Sequence, residues 1–179
     1  GLPKDMEQKE ATFHHTEADD IPVWHDGNLQ YKLIAGELFG RKSPVPVHSK
    51  LFFLEIKSQD AKKINIGGDL FGEVAMYVLD GTVNIDGNTF GGKQLLIAKN
   101  ATLCEFEMSE NTTVYLFGGE PFNEERFIFW NFVNSDKEII EQAKINWYNQ
   151  NHDAFPLVPG DEEEFVPLPK AILNSRLSK

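Results

Sequence analysis

Between Val23 and Phe132, apolar and polar positions alternate in runs of four to seven residues. The runs are Leu29–Ala35, Leu51–Lys57, Ala61–Ile66, Glu73–Leu79, Thr82–Ile85, Leu95–Ala98, Leu103–Glu107, Thr113–Phe117 and Phe127–Phe132. Successive side chains of a strand point to opposite faces, so this alternation predicts half-buried strands. Between the runs stand Asp26-Gly27, Gly67-Gly68, Asp80-Gly81, Asp86-Gly87 and Gly118-Gly119. Such pairs tolerate the positive φ of tight turns and predict hairpins. Many short strands at this spacing predict an antiparallel sandwich or barrel.

The period changes once. Ile139, Ile140, Ala143 and Trp147 recur at helical spacing, with Tyr148 beside them. This predicts one amphipathic helix over about residues 136–149. Ser135 and Glu138 have the Ser-x-x-Glu spacing of a capping box, in which the hydroxyl accepts from a free helix N–H and the carboxylate reaches back. Beyond the helix, Pro156, Pro159, Pro167 and Pro169 forbid a further long helix. Phe155, Leu157, Phe165, Val166 and Leu168 in the same stretch predict a tail that lies extended against the body. Residues 4–20 are polar and acidic and read as a leader or linker.

Composition narrows the function classes. The net charge is −11 at pH 7, which disfavours a phosphate-tracking nucleic-acid surface or an anionic membrane, both of which attract Lys and Arg patches. No apolar run approaches the roughly 18 residues of a membrane span. A single cysteine cannot form an internal disulfide, and a reducing cytoplasm is the expected compartment. The chain opens on Gly1 rather than Met, as a processed or excised piece would.

Gly36-Glu37-Leu38-Phe39-Gly40-Arg41-Lys42-Ser43 resembles a phosphate loop, but three residues rather than four separate its glycines, and Pro44 and Pro46 block the helix such a loop needs. A strand end and a turn are expected there instead. Alternation puts Cys104 on one face with Phe106 and Met108, the setting of an inert buried thiol. His25, His48 and His152 stand alone beside turns, and His14-His15 lie in the acidic leader with Glu17, Asp19 and Asp20. None forms a His-x-His pair, and a solvated leader is expected rather than a metal site.

Several motifs occur together and in order. Gly36-Glu37-Leu38-Phe39-Gly40 with Lys42-Ser43-Pro44-Val45, then Gly118-Gly119-Glu120-Pro121, then Phe132-Val133-Asn134-Ser135 leading into Ile140-Glu141-Gln142-Ala143-Lys144, resemble the C-terminal domain of pirin-family proteins. Val158-Pro159-Gly160-Asp161 through Glu164-Phe165-Val166-Pro167-Leu168-Pro169 is similar to the tail of bacterial members, and Leu2-Pro3-Lys4 looks like the segment joining the family's two domains. The resemblance implies a chain of two stacked cupin domains, of which this is the second. It implies a metal, usually iron, held by three His and one Glu in the first domain. Flavonol dioxygenase (quercetinase) activity is attributed to some members, and iron-dependent transcriptional co-regulation to the eukaryotic protein.

The general cupin motif can be laid on this chain. With its Gly at Gly81, the Glu position falls on Val74, and the two His positions on Gly68 and Leu70, or on Gly67 and Asp69. The His of the second motif falls on Leu103. A catalytic metal needs about three protein donors with an open position. At most Asp69 survives as a donor, and Glu73 is one residue off, on the opposite face of a strand. The alignment turns Leu103 inward, whereas alternation turns Cys104 inward.

The expected fold is all-β, a cupin-type antiparallel double-sheet (jelly-roll) barrel with one C-terminal α-helix. Residues 1–22 are expected as a leader or interdomain linker, 23–134 as the β domain, and 135–179 as helix and packed tail. The expected function is a metal-free, non-catalytic half of a two-domain pirin-like metalloprotein, with no cofactor in this chain and iron or another divalent metal in the N-terminal cupin domain. That domain is the expected partner. The alternatives are a barrel that binds a small apolar ligand and a protein-interaction domain. Phe13, Trp24, Trp147, Phe155 and Phe165 fall outside the drawn strand core and predict that the separated chain self-associates or folds its tail over the exposed rings.

Overall fold

The computed structural model describes residues 1–98 and 105–169. Of these, the residues within Glu10–Pro121 form one compact unit, and Gly1–Lys9 with residues 122–169 form another. The expected boundary after residue 134 falls within the second of these.

The larger unit is built from β1 (Val23–Asp26), β2 (Leu29–Leu38), β3 (Arg41–Lys42), β4 (Leu51–Ser58), β5 (Lys62–Asn65), β6 (Glu73–Asp80), β7 (Thr82–Ile85), β8 (Asn88–Gly91), β9 (Gln94–Ala98), β10 (Glu105–Met108) and β11 (Thr112–Gly119). A seven-stranded sheet runs β1-β2-β4-β11-β6-β9, with β3 added to β2. A four-stranded sheet runs β5-β10-β7-β8. Every pairing is antiparallel. This is the antiparallel two-sheet arrangement that the strand pattern predicts, and of the cupin type that the family resemblance implies.

The alternation does the work of closing it. Leu29, Tyr31 and Leu33 from β2, Phe52, Leu54 and Ile56 from β4, Val74, Met76 and Val78 from β6, and Val114 and Leu116 from β11 are all buried in one cluster. Ile64, Val83, Phe106 and Met108 from the smaller sheet complete it. Intervening residues such as Lys57, Glu73 and Glu107 stay exposed.

Four sequence expectations need correction here. Gly118-Gly119 is not a turn but the end of β11, paired to β4 and β6. A Cβ on Gly118 would lie 2.2 Å from the Glu73 carbonyl oxygen, so glycine is required by backbone approach rather than by reversal. Asp80-Gly81 is not a hairpin, because it carries the chain from β6 in one sheet to β7 in the other. Phe127–Phe132 is not one strand. It is β12 (Phe127–Phe129) and β13 (Phe132–Asn134), hairpinned at Trp130, whose φ is +50°. Trp24 is not outside the core: it sits in β1, half-buried, stacked 5.2 Å from Tyr31 with the Arg41 guanidinium 4.7 Å from its ring.

The phosphate-loop look-alike is the β2–β3 hairpin. Leu38 pairs with Arg41, and the two residues between them, Phe39 and Gly40, both have positive φ, at +51° and +66°, as a type I′ turn requires. Gly36 has φ +79°, and a Cβ there would sit 1.8 Å from the Leu51 carbonyl oxygen. The first glycine of the motif thus serves close strand approach and the second serves the turn.

In the smaller unit α1 spans Lys137–Tyr148. Its N-cap is Asp136, whose carboxylate accepts from the Glu138 N–H at 2.8 Å. The expected capping box of Ser135 and Glu138 does not form, because Ser135 is engaged elsewhere. Its N–H and hydroxyl both donate to the Glu7 carboxylate, at 2.9 and 2.7 Å. Asn134 instead braces the cap, its side-chain oxygen accepting from the Asp136 N–H at 2.9 Å.

Candidate functional site

The first place to look is the space between the sheets, where the cupin motif would put metal donors. Val74 lies in β6, fully buried in the same core cluster as Met76. Leu70 is half-buried against the same core. Gly68 lies in an exposed turn with φ +91°. Asp69 and Glu73 are exposed, Glu73 on the strand face opposite to Val74. Leu103 and Cys104 lie outside the described residues, as does the question of which of them turns inward. Among the described residues no three His, Cys, Asp or Glu side chains converge as a metal site would need. Val74, Leu70, Gly67 and Gly68 offer no side-chain lone pair to iron, and Asp69, the one donor at a described motif position, is exposed and falls short of the roughly three donors a catalytic metal needs.

Polar groups held in or against the sheets are satisfied by one another. Tyr115 donates to Glu55 at 3.0 Å, and Lys57 pairs with the same carboxylate at 2.9 Å. Burial, the hydrogen bond to Glu55 and the charge of Glu55 push the Tyr115 phenol above its ordinary value. Burial and the charge of Asp26 do the same to Tyr31. Ser43 donates to the Ile34 carbonyl at 2.7 Å, and the Ser109 and Thr112 hydroxyls bond each other at 2.7 Å. Among the described residues no buried side-chain polar atom is left without a partner.

The histidines stay apart. His15 contacts Glu17 at 3.0 Å with both side chains exposed, and His25 meets Gln30 at 3.3 Å. A shallow depression beside β2 and β3 includes Asp20, Glu37 and Lys42, but Lys42 is already paired with Glu37 at 2.7 Å.

Residues 53–153 match the family model of the pirin C-terminal cupin domain. The chain belongs to that family. It is 37% identical to a pirin-like protein of Caulobacter vibrioides over 170 residues, covering 94% of this chain and 57% of that protein. A crystal structure of quercetin 2,3-dioxygenase from Acinetobacter baumannii superposes with a TM-score of 0.81 at 25% identity, covering 94% of this chain and 56% of that one. The chain spans about half the length of the curated relatives it matches. The pirin-domain match stops at residue 153, ahead of the tail.

That tail folds back on α1. Trp147 stacks on Phe165 with centroids 5.5 Å apart and meets Phe155 edge-on at 5.3 Å. Phe132 stacks on Phe155 at 5.7 Å, and Trp130 meets Trp147 at 5.6 Å. The Trp147 indole N–H donates to the Val166 carbonyl at 2.9 Å. Three of the rings flagged in the sequence as exposed are therefore gathered into one cluster, while Phe13 remains 89% exposed. Beside the cluster is a groove of about 300 Å³. The sequence signal for it was the return of large apolar residues after the helix; the mutual placement of the rings was not readable.

Proposed function

We propose that this chain is the metal-free, non-catalytic cupin half of a two-domain pirin-like protein. In this reading a cupin domain N-terminal to it holds iron or another divalent metal and carries any chemistry of the quercetin 2,3-dioxygenase kind, the activity named for the Acinetobacter relative. The observation that carries the proposal is the inner side of β6. Val74, Met76 and Val78 are fully buried there, where a metal site needs lone pairs. The small-ligand alternative is weaker on the same ground, because the described inward positions are packed with side chains. The single cysteine, which can form no internal disulfide, supports a reducing, cytoplasmic setting.

The test compares this chain with a longer chain carrying the upstream domain. After chelation and exchange into iron, manganese or nickel, metal per chain is measured by mass spectrometry, and flavonol consumption is followed optically. The expected result is no retained metal and no turnover for this chain, with both appearing in the longer one. One metal per chain retained here, or turnover here that is abolished by Asp69→Asn or Glu73→Gln, overturns it.

A further inference from the structure

We propose that the outer face of the β12–β13 hairpin, carried by Ile128 and Val133, is the surface on which the domain N-terminal to this chain sits. The proposal rests on the two-domain reading above and adds where the two halves meet.

The hairpin is apolar on both sides. Phe127-Ile128-Phe129-Trp130 and Phe132-Val133 lack the polar alternation of a strand such as β10, Glu105-Phe106-Glu107-Met108. A continuous apolar run in a strand is the pattern of burial on both faces. One face is accounted for. Lys137 and Lys144 of α1 lie over the Phe127 and Phe129 rings at 4.3 and 4.2 Å, and Phe132, the register partner of Phe129, meets Trp147 at 6.3 Å. Ile128 and Val133 pair across the hairpin on the opposite face. There Ile128 is 73% exposed and Val133 39%. A two-stranded ribbon needs packing to be stable, and an exposed pair of β-branched side chains at its centre marks an interaction surface.

The path of the chain selects the partner. A Cβ on Gly1 would lie 3.5 Å from Val133 Cγ1 and 3.7 Å from Arg126 Cδ, so a domain joined ahead of Gly1 connects at the edge of this face. The connection is no loose tether. Arg126 donates through Nε and Nη2 to the Leu2 carbonyl at 3.3 and 3.0 Å. Glu7 pairs with Arg126 and accepts from Ser135, the residue after β13. Lys4–Met6 form a short 3-10 helix between these two anchors. With both ends of the segment held, a domain ahead of Gly1 starts beside Val133 and loses little freedom in settling there, which makes its effective concentration at the face high. This chain spans about half the length of its curated relatives, which leaves room for a domain of that size.

The test places Ile128→Cys in this chain and in a longer chain carrying the upstream domain. Both are treated with iodoacetamide and read peptide by peptide in a mass spectrometer, which separates the new thiol from Cys104. Ile97→Cys in β9, a 74% exposed position in the other unit, is the control. The expected result is fast labelling of Ile128→Cys in this chain and labelling slower by about tenfold or more in the longer one, because a covered thiol is out of reach of the reagent. Ile97→Cys is expected to label alike in both. Adding Ile128→Glu to a Val133→Cys variant of the longer chain, with the fold checked by circular dichroism, is expected to restore the labelling rate that Val133→Cys has in this chain, since a charge cannot stay in an apolar interface without a partner. Equal labelling of Ile128→Cys in the two chains overturns the proposal. So does protection in this chain alone that grows with its concentration, which identifies a second copy as the occupant. Metal content measured on the same samples keeps the two readings apart. Slow labelling without retained metal upholds the interface and overturns the metal assignment, and retained metal with equal labelling does the reverse.

Discussion

Replacing Glu7 by Gln should cost about 2–4 kcal/mol, far more than a leader residue ordinarily would. The Glu7 side chain is 6% exposed and its partner Arg126 10% exposed, with Arg126 Nε 3.1 Å from the carboxylate. The same carboxylate accepts both the N–H and the hydroxyl of Ser135. An amide can accept at one oxygen only, and it turns an NH₂ toward a group that is itself a donor. Leaving a buried charge without its partner costs roughly 3–5 kcal/mol. The lower end is moderated here because Arg126 keeps Glu124 at 2.9 Å, the Leu2 carbonyl at 3.0 Å and the Phe122 ring at 4.3 Å. Urea denaturation followed by tryptophan fluorescence measures the loss, since Trp130 and Trp147 both report on this unit. A cycle with Arg126→Met isolates the pair, and about 1 kcal/mol or more of coupling is expected. A change below about 0.5 kcal/mol for Glu7→Gln, or strict additivity with Arg126→Met, would refute the reasoning.

Two further outcomes are expected. Asp136→Ala should cost about 1 kcal/mol by leaving the Glu138 N–H without its cap, while Ser135→Ala should act through Glu7, so that its cost largely disappears in a Glu7→Gln background. Thermal denaturation of the parent, the three single variants and the Ser135→Ala/Glu7→Gln double variant decides this, and an unchanged Ser135→Ala cost in that background would restore Ser135 as the cap. Because the Tyr115 phenol titrates higher when folded than when unfolded, its stabilisation is complete below the ordinary tyrosine value of about 10 and is lost as pH rises through the folded value. Glu55→Gln removes the charge that helps hold that proton, so ultraviolet titration should show one phenol ionising at lower pH than in the parent, and an unmoved curve refutes the Glu55 contribution.

The strands were legible because one side of each faces a core and the other does not. At β6 and β11 the burial period follows the sequence period residue by residue. What escaped was set by partners distant in sequence. Glycine pairs look alike whether they reverse the chain, as Asp86-Gly87 does with φ of +49° and +79°, or let two backbones touch, as Gly118 does. The edge strands β3 and β8 bury little and so carry no alternation to read. Ser135 has the spacing of a cap, yet Glu7 takes both its donors from 128 residues away. A local rule predicts which bond a hydroxyl can form, and a buried carboxylate decides which it does form, because an anion accepts a stronger bond than a neutral oxygen.

The same competition bears on the sheet interior. An apolar core and a metal centre ask for the same volume between the two sheets. A His or Glu at the Val74 position would put a polar group into a fully buried site, at a cost of about 2–7 kcal/mol unless a metal or hydrogen bond satisfied it. Intermediate states with one or two donors are therefore less stable than either extreme: a complete ligand set with its ion, or none. In the reading proposed above the chain takes the second course: Val74, Met76 and Val78 are fully buried apolar residues, and Leu70 packs against the same core. A chain settled there is free to place its charged groups outside the sheets. There Glu55 accepts from Tyr115 and pairs with Lys57.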